Sequence, residues 1–368
     1  MITSYGYPLE THVATTADGY LLTMHRIPYG RAPGSGQGPD KPIVFLQHGL
    51  LSSSADWVVI GPESGLAYLL ADRGYDVWMG NARGNTHSRA HIHIDPDRRA
   101  FWDFSWHEIA VFDLPAMIDF ALRTTRQTKL HYVGHSQGTT TLFIMLSLRA
   151  DYNDVILSAH ALAPVAFMSN LRSPFIRAFS PFVDSLDTIT SLLGMNEFMP
   201  SNDMMQRGGY TLCRDTSSFQ EVCANALFLI GGFNSAELNR TQLPYIMANA
   251  PAGSATKQLV HYGQLHNSGH FRQFDHGLIG NLQIYGSFSP PDYPVERITA
   301  PIALHFSDND WLAAVEDVHK LRVRLPNLIG AFRVPMAEFN HLDFCWAINV
   351  RNLLYNRVIS LIDRFNDE

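Results

Sequence analysis

The residues best placed to do covalent chemistry are Ser136, His341 and one of two aspartates, Asp308 or Asp310. Ser136 stands at the centre of Gly134-His-Ser-Gln-Gly138, a G-x-S-x-G string. A serine hydroxyl is a weak nucleophile until an imidazole takes its proton, and the imidazole needs a carboxylate to fix its tautomer and stabilise its charged form. When such a serine follows a strand, acid and base come later in the chain, each on a loop after a further strand. Asp308 and Asp310 both lie just beyond the apolar run 301–306, and either can orient an imidazole, with Asp310 slightly better placed. His341 falls between the last strand and the last helix, where a base must reach back to Ser136. His266, His270 and His276 lie in the wrong segment and His319 in mid-helix. Acyl transfer also needs donors for an oxyanion, one from the residue after the nucleophile and one from the loop after an early strand, worth about 3 kcal/mol each to the barrier. The backbone N–H groups of Gln137 and Leu50 fit these places, with the loop shaped by His48-Gly49.

The elements that hold these residues follow from hydrophobic pattern. Residues 130–133 read as a buried strand, Ser136 as a one-residue corner, and an apolar helix is expected from Thr139. Glycines on either side of the corner relieve the clash where strand and helix close on each other. Residues 11–16 and 20–27 predict a hairpin about Ala17-Asp18-Gly19, and the Gly- and Pro-rich stretch 30–40 a loop. Strands are expected at 42–47, 75–79, 156–163, 301–306 and 330–334, with helices at 63–73, 106–123, 315–325 and 346–365. Strands alternating with helices of this length call for a mostly parallel sheet with right-handed crossovers. The rhythm breaks after Pro164. Residues 165–297 show helical stripes such as Phe175, Phe179, Phe182, Leu186, Ile189 and Leu193 and no clear strands, and predict an inserted, mainly helical cap including a lid. The domains are therefore a core of 1–164 and 298–368 and a cap of 165–297. Met168, Met195, Met199, Met204 and Met205, five of twelve methionines, fall within 38 residues of that insertion, where adaptable side chains suit a surface that meets varied acyl chains.

Composition narrows the partners. Apolar residues make up 46% of the 368 and charged residues 17%, so much of the surface is neutral or apolar. A net charge of −7 and the lack of a Lys/Arg-rich run argue against nucleic acid. If all 17 histidines charged, the balance would move from −7 to +10, unless burial withholds them. No stretch is apolar and long enough to span a membrane, and residues 1–7 lack a leader's apolar region, so the chain is cytosolic or starts after a removed leader. Cys213 and Cys223 lie ten apart and can close a small loop in an oxidising compartment, leaving Cys345 unpaired; Asn239-Arg-Thr241 is a glycosylation sequon pointing the same way. His91-Ile-His-Ile-Asp95 spaces metal-ligand types, but Pro96 stands where a binuclear hydrolytic centre wants another histidine, and the segment reads as a surface loop. Gly80-Asn-Ala-Arg-Gly-Asn85 lacks the lysine of a phosphate loop. No metal or cofactor is expected.

Eight strings together carry a resemblance: Tyr5-Gly-Tyr-Pro8, Asp18-Gly-Tyr20, Phe45-Leu-Gln-His-Gly-Leu-Leu51, Gly74-Tyr-Asp-Val-Trp78, Gly80-Asn-Ala-Arg-Gly-Asn85, Tyr132-Val-Gly-His-Ser-Gln-Gly-Thr139, Asn309-Asp-Trp-Leu-Ala313 and Asn340-His-Leu-Asp-Phe344. In these the chain resembles the acid lipases, the group of gastric and lysosomal acid lipases and their insect and plant relatives. The resemblance implies an α/β-hydrolase core with a helical cap and lid. It implies cleavage of triacylglycerols or cholesteryl esters at a droplet or micelle surface, in a protein secreted or, alternatively, lysosomal. Carried onto matching positions, it makes Ser136 the nucleophile, Asp310 the acid and His341 the base, with Leu50 and Gln137 as oxyanion donors and Cys213–Cys223 as a cap disulfide. Gly231 stands where gastric members carry a further cysteine, a difference expected to touch no catalytic role. Ala314 stands where many have an aspartate, which puts the acidic pH preference in doubt. A carboxylesterase for short soluble esters and a silent lipid-binding protein are the competing readings.

Overall fold

A computed structural model describes residues 1–366 except 39 and 184–194. Its centre is an eight-stranded sheet in the order β1-β2-β4-β3-β5-β6-β9-β10. The hairpin β1 (Glu10–Thr15) and β2 (Leu21–Ile27) forms one edge, antiparallel to its neighbours. From β3 (Ile43–Gln47) and β4 (Asp76–Met79) onward the pairing is parallel, through β5 (Leu130–His135), β6 (Ile156–Leu162), β9 (Ile302–Phe306) and β10 (Leu328–Arg333). Every residue of β3, β4, β5 and β9 is buried, as expected of parallel strands covered on both faces.

Helices α1 (Leu66–Arg73), α2 (Trp106–Glu108), α3 (Leu114–Thr125) and α4 (Gln137–Leu148) connect the first six strands. A capping box of Ser105 and Glu108 starts α2, satisfying two amides that the first turn leaves open. Helix α4 is buried along eleven of its twelve residues, 137–147, because it packs between the sheet and the cap. It begins at Gln137, two residues earlier than the apolar run suggests. That start leaves the Gln137 N–H outside the intrahelical ladder.

The long excursion between β6 and β9 carries α5 (Pro174–Phe179), α6 (Asp203–Cys213), α7 (Gln220–Gly231), α8 (Leu243–Asn249), α9 (Thr256–Ser268) and α10 (Gly277–Tyr285). A Cys213–Cys223 disulfide, with Cα atoms 5.9 Å apart, ties α6 to α7. The expected stripe through Leu186, Ile189 and Leu193 lies outside the described residues. Against the expectation of no strands, β7 (Glu197–Phe198) and β8 (Ser254–Ala255) pair as a ribbon; two residues each are too few to show an alternation. Beyond the sheet come α11 (Val315–Arg322), α12 (Asp343–Trp346) and α13 (Asn356–Arg364). The single helix expected over 346–365 is broken because Ala347 turns extended, bridges to Leu238, and hands Ile348 N and Asn349 N to the carbonyl and carboxylate of Glu237. Periodicity in one segment cannot report such an anchor from another.

Candidate active site

Ser136 sits between β5 and α4 with φ 52° and ψ −116°, a left-handed corner that an L-residue holds only when its surroundings force it. The flanking glycines are required by contact. A Cβ on Gly134 would lie 2.7 Å from the backbone of Gly138, and one on Gly138 would lie 2.3 Å from the carbonyl oxygen of Gln47 in β3. Tyr132 Oη donates to Gly138 O at 2.8 Å and locks the same crossing.

The structure brings His341 and Asp310 to this corner. Ser136 Oγ donates to His341 Nε2 at 2.7 Å, and His341 Nδ1–H lies 2.9 Å from both oxygens of Asp310. Because Nδ1 carries the proton toward the carboxylate, the Nε2 lone pair is left for the serine proton. Asp310 is fully buried. Burial by itself raises its pKa, but His341 and the amides of Ala313 and Leu312, each donating at 2.8 Å, outweigh it and hold the carboxyl below its ordinary value. Asp308 points away and pairs with Arg333. Arg172 Nη2 donates to the carbonyls of Asp308 and Asp310 at 2.6 and 3.0 Å and fixes the loop that carries both.

The base sits on a loop with its own frame. Asn340 Oδ1 accepts from Leu342 N and Asp343 N, Asp343 accepts from Asn340 N and Asn234 Nδ2, and Asn340 Nδ2 donates to Gly232 O. Burial pushes Asp343 up to about 7, against the pull of those amides. Gly231 O accepts from His341 N and Trp311 N, both at 3.2 Å, and a Cβ there would meet Leu342 at 3.0 Å. Gly231 thus tethers the loops of base and acid through its backbone carbonyl.

Opposite Ser136, Gly49 approaches so closely that a Cβ would lie 3.1 Å from the serine Cβ. His48 Nδ1–H donates to Gly49 O at 2.7 Å, while its Nε2 accepts from Ala82 N at 3.1 Å and Asn85 Nδ2 at 3.2 Å. Since C=O and N–H of one peptide unit point in opposite directions, holding Gly49 O fixes where Leu50 N–H points. Burial keeps the His48 imidazole neutral, with its pKa down to about 4. Asn81 and Asn85 thus belong to the frame of the site, and Arg83 is buried against Asp113 and Asp18. Their string, which lacks a phosphate loop's lysine, serves the His48-Gly49 loop, a contact between distant segments that its spacing does not report.

The remaining expected residues lie elsewhere. Asn239 is half-buried, with Oδ1 accepting from Thr241 N and Gln242 N. His91 spends both ring nitrogens, Nε2–H on Asp18 O and Nδ1 as acceptor for His93 N and Ile94 N, so neither faces a ligand. His266 bonds Met168 O and His270 pairs with Asp292. Seven histidines, 48, 131, 135, 160, 261, 305 and 341, are buried, and burial lowers the pKa of the first six. With those six held neutral the balance can reach at most +4 rather than the +10 counted over all 17. A cavity of about 160 Å³ opens on Ser136 and His341, walled largely by apolar side chains such as Leu51, Val165, Met168 and Ile176.

An imidazole whose Nε2 meets a serine hydroxyl and whose Nδ1–H meets a buried carboxylate, on an elbow at the head of a mostly parallel sheet, defines a serine-type ester hydrolase of the α/β-hydrolase fold. Residues 1–61 match the partial alpha/beta-hydrolase lipase region and residues 42–192 the alpha/beta hydrolase fold. The chain is 48% identical to "Lipase 3" of Drosophila melanogaster, over 98% of this chain and 91% of that protein. It is 42% identical to "Gastric triacylglycerol lipase" of Bos taurus, over 98% and 90%. Among solved structures, a putative lipase from Sulfolobus solfataricus superposes with a TM-score of 0.60 at 13% identity, covering 96% of this chain and 99% of that one, a likeness of fold. The chain belongs to the acid lipase family of the α/β hydrolases.

Proposed function

We propose that the chain hydrolyses neutral lipid esters, the triacylglycerols and cholesteryl esters, by acyl transfer to Ser136. The observation that carries this is the continuous Ser136–His341–Asp310 chain at 2.7 and 2.9 Å beneath an apolar cavity. Ser136 Oγ attacks the ester carbonyl as its proton passes to His341 Nε2, and Asp310 stabilises the imidazolium so formed. The N–H groups of Gln137 and Leu50 meet the oxyanion, His341 returns the proton to the departing alcohol, and the acyl group stays on Ser136. Water then attacks with His341 as base, and the fatty acid leaves.

Residues 165–297 act as a cap and lid over this site, a role supported by the cavity walls that Val165, Met168, Ile176, Met199, Ile230 and Tyr262 supply. Among the described residues no helix is long and apolar enough to cross a membrane. The Cys213–Cys223 bridge, the Asn239 sequon and the gastric relatives support action outside the cytosol, in the secreted fluid or the lysosome, on lipid at a droplet or micelle surface. A substrate panel tests the reading: triglyceride and steryl ester emulsions against dissolved short esters, from pH 4 to pH 9. Turnover should rise sharply once substrate forms droplets; equal or greater activity on dissolved esters would replace the lipase reading with a carboxylesterase.

A further inference from the structure

Behind Ser136 the cavity wall holds three side chains that the hydrolytic steps do not use. Asp56, His135 and Cys345 come from the 3-10 turn after β3, from the end of β5 and from α12, and their ligand atoms all lie within 4.8 Å of one another. They are 6%, 5% and 1% exposed, and all three line the cavity. His135 Nε2–H donates to His341 O at 3.0 Å, which fixes the tautomer and leaves the Nδ1 lone pair unpartnered in a buried position. An orphaned buried acceptor of this kind calls for an explanation. Ser52 Oγ donates to one oxygen of Asp56 and the Trp346 indole approaches the same carboxyl, whose remaining lone pairs can meet a ligand.

From this juxtaposition the geometry points to a zinc-type divalent cation site formed by Asp56, His135 Nδ1 and Cys345 Sγ, set against the catalytic serine. The ligand types decide the class of ion: one thiolate, one imidazole and one carboxylate suit Zn²⁺ and similar borderline-soft ions, and exclude Ca²⁺ or Mg²⁺, which want oxygen alone. Charge agrees as well. A thiolate and a carboxylate neutralise a dication, so the assembled site buries no net charge in a low-dielectric wall. Bonds of about 2.0–2.3 Å place the ligand atoms of a tetrahedral site roughly 3.3–3.7 Å apart, so the three side chains need draw in by only about 1 Å. On binding, Cys345 gives its thiol proton to solvent, and the fraction of Asp56 that carries a carboxyl proton gives that up as well. The fourth coordination position faces the cavity, so the ion occupies space beside Ser136 that an acyl chain would enter, and it inhibits.

The chain offers a clean reporter. Its three cysteines include the Cys213–Cys223 disulfide, so Cys345 is the one free thiol. Titration of the chelator-stripped full chain with Co²⁺ should give a thiolate-to-cobalt charge-transfer band saturating at one ion per chain and displaced by Zn²⁺. Cys345→Ala should abolish the band, and Asp56→Asn should weaken Co²⁺ affinity about tenfold or more, near-ultraviolet circular dichroism verifying that both variants fold. Zn²⁺ should suppress wild-type turnover at least about tenfold and lose that effect on the residual activity of Cys345→Ala. No band, or affinity unchanged by Asp56→Asn, overturns the site. The band is read without substrate, so it stands or falls apart from the lipase reading on which the inhibition rests.

Discussion

Replacing Asp310 by asparagine tests the direction of every proton in the site. Asp310 Oδ1 accepts from Leu312 N and Ala313 N at 2.8 Å, and both oxygens lie 2.9 Å from His341 Nδ1. In Asp310→Asn the side-chain carbonyl must stay at the Oδ1 position, because turning the amide would aim its NH₂ at two backbone N–H groups. The NH₂ then occupies the Oδ2 position and presents a donor to Nδ1. His341 answers by moving its proton to Nε2, which places N–H against the Ser136 hydroxyl and removes the base. The loss expected from a wrong tautomer is about 10³–10⁴ in kcat, or about 4–5.5 kcal/mol on the barrier. KM should stay within about threefold, since Asp310 is buried behind the imidazole. Asp308→Asn is the control: its partner Arg333 is largely exposed, such pairs are worth about 0–1 kcal/mol, and activity should remain within about threefold. Initial rates on a long-chain triglyceride emulsion decide the matter. An Asp310→Asn enzyme keeping a tenth of wild-type kcat, or an Asp308→Asn enzyme equally crippled, refutes the assignment of the acid.

His48→Leu removes the donor that holds Gly49 O and should lower kcat about 10–100-fold with little change in KM, since the Leu50 N–H loses its aim; a variant of full kcat would show that the loop holds itself. Gly138→Ala puts a methyl 2.3 Å from Gln47 O, a backbone atom that cannot step aside, and should lose folded protein or many degrees of Tm in a thermal melt; a wild-type Tm counts against the packing described. His305, whose pKa burial drives down to about 3, makes stability depend on acid. The unfolded chain takes this proton near pH 6.5 and the folded chain does not, so the contribution is whole above that value and lost toward pH 3, at about 1.4 kcal/mol per pH unit. His305→Leu should therefore show a shallower fall of Tm between pH 6.5 and pH 4.5 than wild type, and equal slopes would contradict it. Asp56 and Asp343, both raised to about 7, work in the opposite sense, so the comparison must be between variants.

Much of the site was legible because its logic is local. The Gly134 and Gly138 requirement belongs to five residues, and strand order alone points to His341 and to the Asp308–Asp310 loop. Choosing Asp310 needed the resemblance, because nothing within that loop says which carboxylate Arg333 of β10 removes. Contacts between distant segments were not legible: Asn85 on His48, Gly231 beneath His341, and Cys345 beside Asp56 join residues that no spacing relates. The histidines mislead in the same way, because composition counts them while only packing tells which are buried between β5, β6 and β9, where His131, Ser158, His160 and His305 form one hydrogen-bonded row.

The central claim, that Ser136 is the nucleophile of a neutral-lipid hydrolase, is tested most directly by the turnover of a triglyceride emulsion by Ser136→Ala. The account predicts a folded protein with at most about 10⁻³ of the wild-type rate. Hydrolysis at a rate comparable to wild type would contradict it.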